Sequence, residues 1–165
     1  MDSLEKLSNI DLIKSYSKII EILKDRGIIR TKNITGELGE NYAIEYYSST
    51  PRLPKLQLAP TSTRNIDAIS TSGERYSIKT ISGNNRLTGV FYGLNNPESN
   101  QEDAQKFEYL LIVILNDNFG LEKILEITWN QFLKYKKWHS RMQAWNVGVT
   151  KSLLEEVNIV FEGQP

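Results

Sequence analysis

The run Phe107–Leu115, F-E-Y-L-L-I-V-I-L, constrains the fold of this chain more than any other stretch. It is too short for a typical helix and rich in β-branched and aromatic residues. It therefore predicts a strand buried on both faces at the centre of a sheet. Asn116-Asp117-Asn118 turns the chain into Gly120–Thr128, whose alternating apolar residues predict an adjacent strand. A second hairpin is expected from Asn65–Thr80, N-I-D-A-I-S-T-S-G-E-R-Y-S-I-K-T, with Ser72-Gly73 as its turn. Lys55–Ala59 reads as a strand ahead of that hairpin, entered after Pro51 and Pro54 and left through the polar turn Pro60–Asn65.

Helices surround these strands. Ile10, Ile13, Tyr16, Ile20 and Leu23 recur at helical spacing in residues 8–26, and Gly27 is the expected stop. Thr35 predicts the N-cap of a second helix from Gly36 to about Ser48, with Glu37 and Glu40 neighbours on one face. Gly36 and Gly39 each cost a helix about 1 kcal/mol, which implies that something approaches the backbone closely there. Thr128 is expected to cap a third helix reaching about Trp138. Trp145–Val149 and Val157–Phe161 read as edge strands around a short helix started by Thr150. Residues 82–106 form a long excursion with one short strand at Val90–Tyr92; loops of this length are commonly functional or disordered. The pattern predicts an α/β (α+β) fold with a mixed central β-sheet flanked by helices. Residues 1–34 would be a helical extension packed on a core of 35–165.

Composition narrows the chemistry. With 165 residues, 39% of them hydrophobic, the chain can bury one proper core. The absence of cysteine excludes disulfides and thiol chemistry, and fits a cytoplasmic protein. No apolar run reaches the roughly 18 residues of a spanning helix, and no signal-peptide pattern opens the chain. His139 is the single histidine, so catalysis must rest on Asp, Glu, Lys and hydroxyls. The 20 basic and 20 acidic side chains cancel but are sorted along the sequence. Residues 51–90 carry six bases against two acids, 91–127 carry seven acids against two bases, and 128–151 carry five bases and no acid. The two basic segments, gathered on one face, would meet a polyanion; the alternative is an ordinary solvated surface.

Two groups of residues carry candidate chemistry. Asp67 and Lys79 lie on neighbouring strands, where they could form a plain cross-strand ion pair worth about 0–1 kcal/mol if exposed. Together with Glu40 they could equally form a phosphate-handling site. Lys134–Arg141, K-Y-K-K-W-H-S-R, mixes cations with Tyr135 and Trp138, which suits a nucleic-acid backbone with base stacking. It would also suit a helix end whose cations favour the dipole.

The order of a helix glutamate (Glu40 in G-E-L-G-E), an aspartate (Asp67 in R-N-I-D) and a strand lysine (Lys79 in Y-S-I-K) resembles the PD-(D/E)xK nuclease superfamily. Restriction endonucleases and archaeal Holliday-junction resolvases belong to that group. The resemblance covers about 35–165 and implies a restriction-endonuclease-like sheet, followed after the third strand by a helix and further strands, with the first helix as an addition. It departs at Ser77, where the family usually has Glu or Asp. A hydroxyl can hold water but supplies no charge, so the second carboxylate falls to Glu40. The resemblance implies Mg²⁺ (or Mn²⁺)-dependent hydrolysis of DNA. Asp67, Glu40 and the Ile78 backbone carbonyl would hold the ion, and Glu37 would assist or simply cap its helix. Lys79 would orient or deprotonate the water, with Ser77 beside it. Arg64, Arg86, Lys134, Lys136, Lys137 and Arg141 would contact DNA, and a homodimer would suit cutting both strands. The competing expectation is a catalytically inactive nuclease-fold protein that binds nucleic acid or a protein partner.

Overall fold

A computed structural model describes residues 4–60 and 63–163; Thr61 and Ser62 of the expected polar turn lie outside the described residues. Two helices open the chain, α1 (Asn9–Asp25) and α2 (Ile34–Ser49). Three strands follow, β1 (Leu56–Leu58), β2 (Ala68–Ser70) and β3 (Arg75–Ser82), and then β4 (Tyr109–Leu115) and β5 (Leu121–Thr128). Beyond them come α3 (Trp129–Tyr135), β6 (Lys136–His139), β7 (Ala144–Val147), α4 (Lys151–Glu156) and β8 (Asn158–Glu162). The main sheet runs β1-β2-β3-β4-β5-β8, with β6 and β7 forming a separate hairpin. Only the β3–β4 pair is parallel, so the fold is mixed α+β.

β4 is the buried centre that its sequence predicts. Its side chains alternate between two cores: Leu111, Val113 and Leu115 on one face, Leu110, Ile112 and Ile114 on the other. The first core packs under α2 through Ala43 and Tyr47. The second is closed by Phe91, Phe107, Trp129, Phe132, Val147 and Leu153, drawn from the excursion, α3, β7 and α4. Residues 83–108 connect the parallel strands without any helix, unlike the crossover that the family resemblance implies. Leu87 bridges Gly148 and Phe91 bridges Trp145, so the excursion leans on the β7 segment. Among the described residues no helix is long and apolar enough to cross a membrane.

Two helix boundaries differ from the sequence expectation. α2 starts at Ile34 because Asn33, not Thr35, is its cap: the Asn33 side chain accepts the Gly36 amide at 3.2 Å. α3 keeps its Thr128–Gln131 capping box but stops at Tyr135. Lys136 is extended there, and Lys136–His139 pairs with Ala144–Val147 instead of continuing the helix. The Trp138–Trp145 pair, edge to face at 5.2 Å, offers those residues a packing partner that a helix would not. The first helix is amphipathic as read, capped by Ser8 and ended at Gly27 with φ +71°, yet none of its residues is buried. Tyr16, Ile19, Ile20 and Leu23 face Ile34, Leu38 and Phe119 across an open groove.

Candidate functional site

Asp67 sits one residue before β2, where the β2–β3 ladder ends. Its backbone still closes the ladder, with its amide donating to the Tyr76 carbonyl at 2.8 Å. Its carboxylate then takes the place of the next ladder acceptor. Oδ2 accepts the Ile78 amide at 2.6 Å and the Ser77 hydroxyl at 3.3 Å. This pair of bonds fixes the carboxylate at the splayed mouth of the hairpin. The Ile78 carbonyl faces the same edge as its amide, because N–H and C=O of one strand residue point to one side.

α2 brings the acids of its first turns to the same mouth. Gly39 is what lets it come close: a β-carbon built there would fall 2.8 Å from the Thr80 Cβ. The Thr80 hydroxyl donates to the Gly36 carbonyl at 3.3 Å. The close approach implied at Gly39 is therefore made by β3. At Gly36 the crowding comes from the Asn33 cap, whose Cγ would lie 2.9 Å from an added β-carbon. Glu37, Glu40 and Asp67 line one cleft of about 220 Å³ together with Arg30, Asn33, Ala59 and Ile66.

The cleft holds three carboxylates and one guanidinium. Glu37 is buried, and its Oε2 accepts the Arg30 amide and lies 3.6 Å from Arg30 Nε. Glu40 receives Arg30 Nη2 at 2.8 Å. Burial pushes the Glu40 carboxyl up from 4.5 to about 7, and the neighbouring Asp67 charge adds to the effect. The Arg30 guanidinium opposes both without cancelling them. A carboxyl poised there can hold or release a proton at neutral pH. Arg30 is the residue that sequence reasoning missed. It lies in an aperiodic linker, and the signal for it was two glutamates at a helix start needing a counter-charge.

The other predicted residues divide. Ser77 is fully buried and bound to Asp67. Lys79 is not among the cleft-lining residues; its ammonium stands over the Phe91 ring, 5.0 Å from the centroid. No ion pair joins Asp67 to Lys79 among the described residues, which removes the plain cross-strand salt bridge. Of the predicted nucleic-acid contacts, Lys134 pairs with Glu156 at 2.6 Å, and Lys136 is tied to Asp103 and lies over Trp145. Arg64, Arg86, Lys137 and Arg141 remain exposed. Arg86 spends one guanidinium nitrogen on the Gly83 and Asn85 carbonyls. Trp129 belongs to the core as expected, whereas Trp145 is half-buried and donates to the Asn95 carbonyl at 2.7 Å.

Comparison with protein-family models gives no match for this chain, and neither does comparison with curated proteins.

Proposed function

We propose that this protein is a Mg²⁺-dependent nuclease of restriction-endonuclease-like fold that hydrolyses DNA phosphodiester bonds. The observation that carries the reading is the meeting of Glu40 and Asp67, from different elements, in one cleft where each opposes the other's charge. The strand order supports it, with β1-β2-β3 antiparallel, β4 parallel to β3, and a glutamate-bearing helix ahead of them. The missing crossover helix is a departure from the family plan.

The donor set fits a hard cation. Among the described residues no group of three or more His, Cys, Asp or Glu is arranged to hold an ion. Mg²⁺, however, takes oxygen ligands, keeps several waters, and commonly uses one or two carboxylates beside substrate phosphates. Asp67 and Glu40 would hold it, with the Ile78 carbonyl at the same edge and Glu37 kept by Arg30 as a supporting charge. Such an ion supplies Lewis-acid stabilisation of phosphate charge and a more acidic water.

The chain's own groups do the rest. Asp67 is held in one orientation by the Ile78 amide, so it meets a ligand without reorganisation. Glu40, raised to about 7 by burial, would have to lose its proton to hold the ion, so binding of the ion and titration of this carboxyl are linked. Lys79 leaves β3 on the Ser77 side with its ammonium over Phe91, and it would have to swing off that ring to bring positive charge to the phosphate. Supercoiled plasmid incubated with Mg²⁺ or Mn²⁺ tests the reading. Nicking by the wild type that is lost in Asp67→Asn and Glu40→Gln is the expected result; equal nicking by all three overturns it.

A second reading rests on Ser77. Where the family usually presents an acid, a buried hydroxyl bound to Asp67 adds no charge to the site. This favours a nuclease-fold protein that binds nucleic acid without cutting it. Salt-sensitive DNA binding with no nicking in either metal would select it.

A further inference from the structure

The β6–β7 hairpin belongs to neither layer of helices and stands as its own two-stranded sheet. Its strands pair Lys136↔Val147 through His139↔Ala144, and Ser140–Gln143 close the far end. All four of those turn residues are exposed: Ser140, Arg141, Met142 and Gln143. Lys137, on the strand behind them, is exposed too, and neither it nor Arg141 enters an ion pair among the described residues. Lys136, by contrast, is committed to Asp103, and Asn95 donates its amide to the same carboxylate at 2.6 Å. The hairpin is thus clamped through Asp103, Asn95 and the Trp138–Trp145 pair, while Lys137 on its first strand and Arg141 at its tip are exposed cations outside any ion pair among the described residues.

The hairpin is also tied to the carboxylate cleft. Trp145 exchanges backbone hydrogen bonds with Phe91, at 2.7 and 3.3 Å. The next residue, Tyr92, accepts Asn65 Nδ2 at 3.0 Å, and Asn65 lies two positions before Asp67. Arg64 packs its side chain beside Gly93 in the same place. A duplex lying on Arg64, beside Gly93 and three residues before Asp67, would therefore approach the segment to which the hairpin is bonded.

From this geometry we infer that the β6–β7 hairpin enters the major groove of duplex DNA as a two-stranded ribbon. Lys137 holds the phosphate backbone, and the Ser140–Gln143 tip reads base edges. The groove admits a two-stranded β-ribbon. The tip carries side chains that the groove's chemistry uses: Arg141 suits the two acceptors of guanine, Met142 a thymine methyl, and Gln143, once its Nε2 leaves the Ser140 carbonyl, the acceptor–donor pair of adenine. A rigid, clamped base keeps such a tip in register with the cleft. The inference rests on the nucleic-acid reading above, but not on cleavage.

The test is fluorescence anisotropy of the full chain on a short mixed-sequence duplex, its single strand and the matching RNA duplex, across a salt series with Ca²⁺ present. Wild type is expected to bind the DNA duplex best. Lys137→Ala should lower the slope of log affinity against log salt by about 1 on every sequence. Arg141→Ala should weaken binding to selected sequences by about tenfold and relax their preference. Lys24→Ala on α1 is the charge-matched control. A double variant that melts like the wild type and keeps its affinity, slope and preference overturns the hairpin's role while leaving the nucleic-acid reading standing. Preference for the single strand or for RNA overturns groove entry. No binding by the wild type to any of the three overturns both readings.

Discussion

Thr80 of β3 occupies the space that a side chain at Gly39 of α2 would need. This contact sets the distance between the helix carrying Glu40 and the strand carrying Lys79. Helix propensity alone would make Gly39→Ala stabilising by up to about 1 kcal/mol. Because the added carbon meets the Cβ of a packed threonine at 2.8 Å, the expected sign is opposite, a loss of about 1–3 kcal/mol. Urea denaturation of the variant gives the sign directly.

Asp67 has a structural and a chemical part, and two substitutions separate them. Asp67→Asn keeps an oxygen for the Ile78 amide, so stability should stay near wild type while the charge is lost. Asp67→Ala leaves a buried amide without a partner and should cost about 1–3 kcal/mol. Melting curves of both, beside cation titrations, distinguish them: Asn should lose the ion and keep the fold, and Ala should weaken both.

The Glu40 carboxyl makes stability depend on pH in a defined window. Its pKa rises from 4.5 to about 7 on folding, so the native state keeps a proton that the unfolded chain has already released. Stability from this group is therefore highest below about 4.5 and falls as pH climbs to about 7. Glu40→Gln should flatten that part of the profile in denaturation experiments. A divalent cation competes with the same proton, so its binding should tighten as pH rises through 7 and should release a proton measurable by calorimetry.

Arg30 is the cleft's internal counter-charge. Arg30→Ala should cost about 1.5–3 kcal/mol, the range for hydrogen bonds to charged groups, because Glu37 is buried and Glu40 loses its partner. The same variant should raise the Glu40 carboxyl further, since the guanidinium holds it down. Under the proposed reading Mg²⁺ recovers part of the lost stability in Arg30→Ala and none in Arg30→Ala with Asp67→Asn. Thermal shifts with and without the ion read the difference.

What could be read from the sequence was local in character. β4 announced itself by composition and β5 by alternation, and the Asp67–Lys79 hairpin by its turn. The capping of α3 and α4 by Thr128 and Thr150 follows from side chains three residues from their partners. What escaped depended on distant partners. Lys136–His139 suits a helix by spacing, and becomes a strand only because Trp138 meets Trp145 and Lys136 meets Asp103. Arg30 has no periodic signature, and its role exists only once α2 folds back against the linker before it. Lys79 lies on the strand that its alternation predicts, but Phe91, twelve residues on, decides where its ammonium rests.

The helix-free connection between β3 and β4 has a consequence in time. β4 can pair with β5 at once, because only the Asn116–Gly120 turn separates them. Its parallel partner β3 must wait until residues 83–108 have found their bridges to Trp145 and Gly148. Late closure of non-local pairs is the slow part of folding. During that interval the most apolar strand of the chain presents an open edge, a template for other chains. Refolding yield should therefore fall steeply with protein concentration, and substitutions at Leu87 or Phe91 should lower yield before they lower stability; light scattering during refolding, beside equilibrium denaturation, measures the two separately.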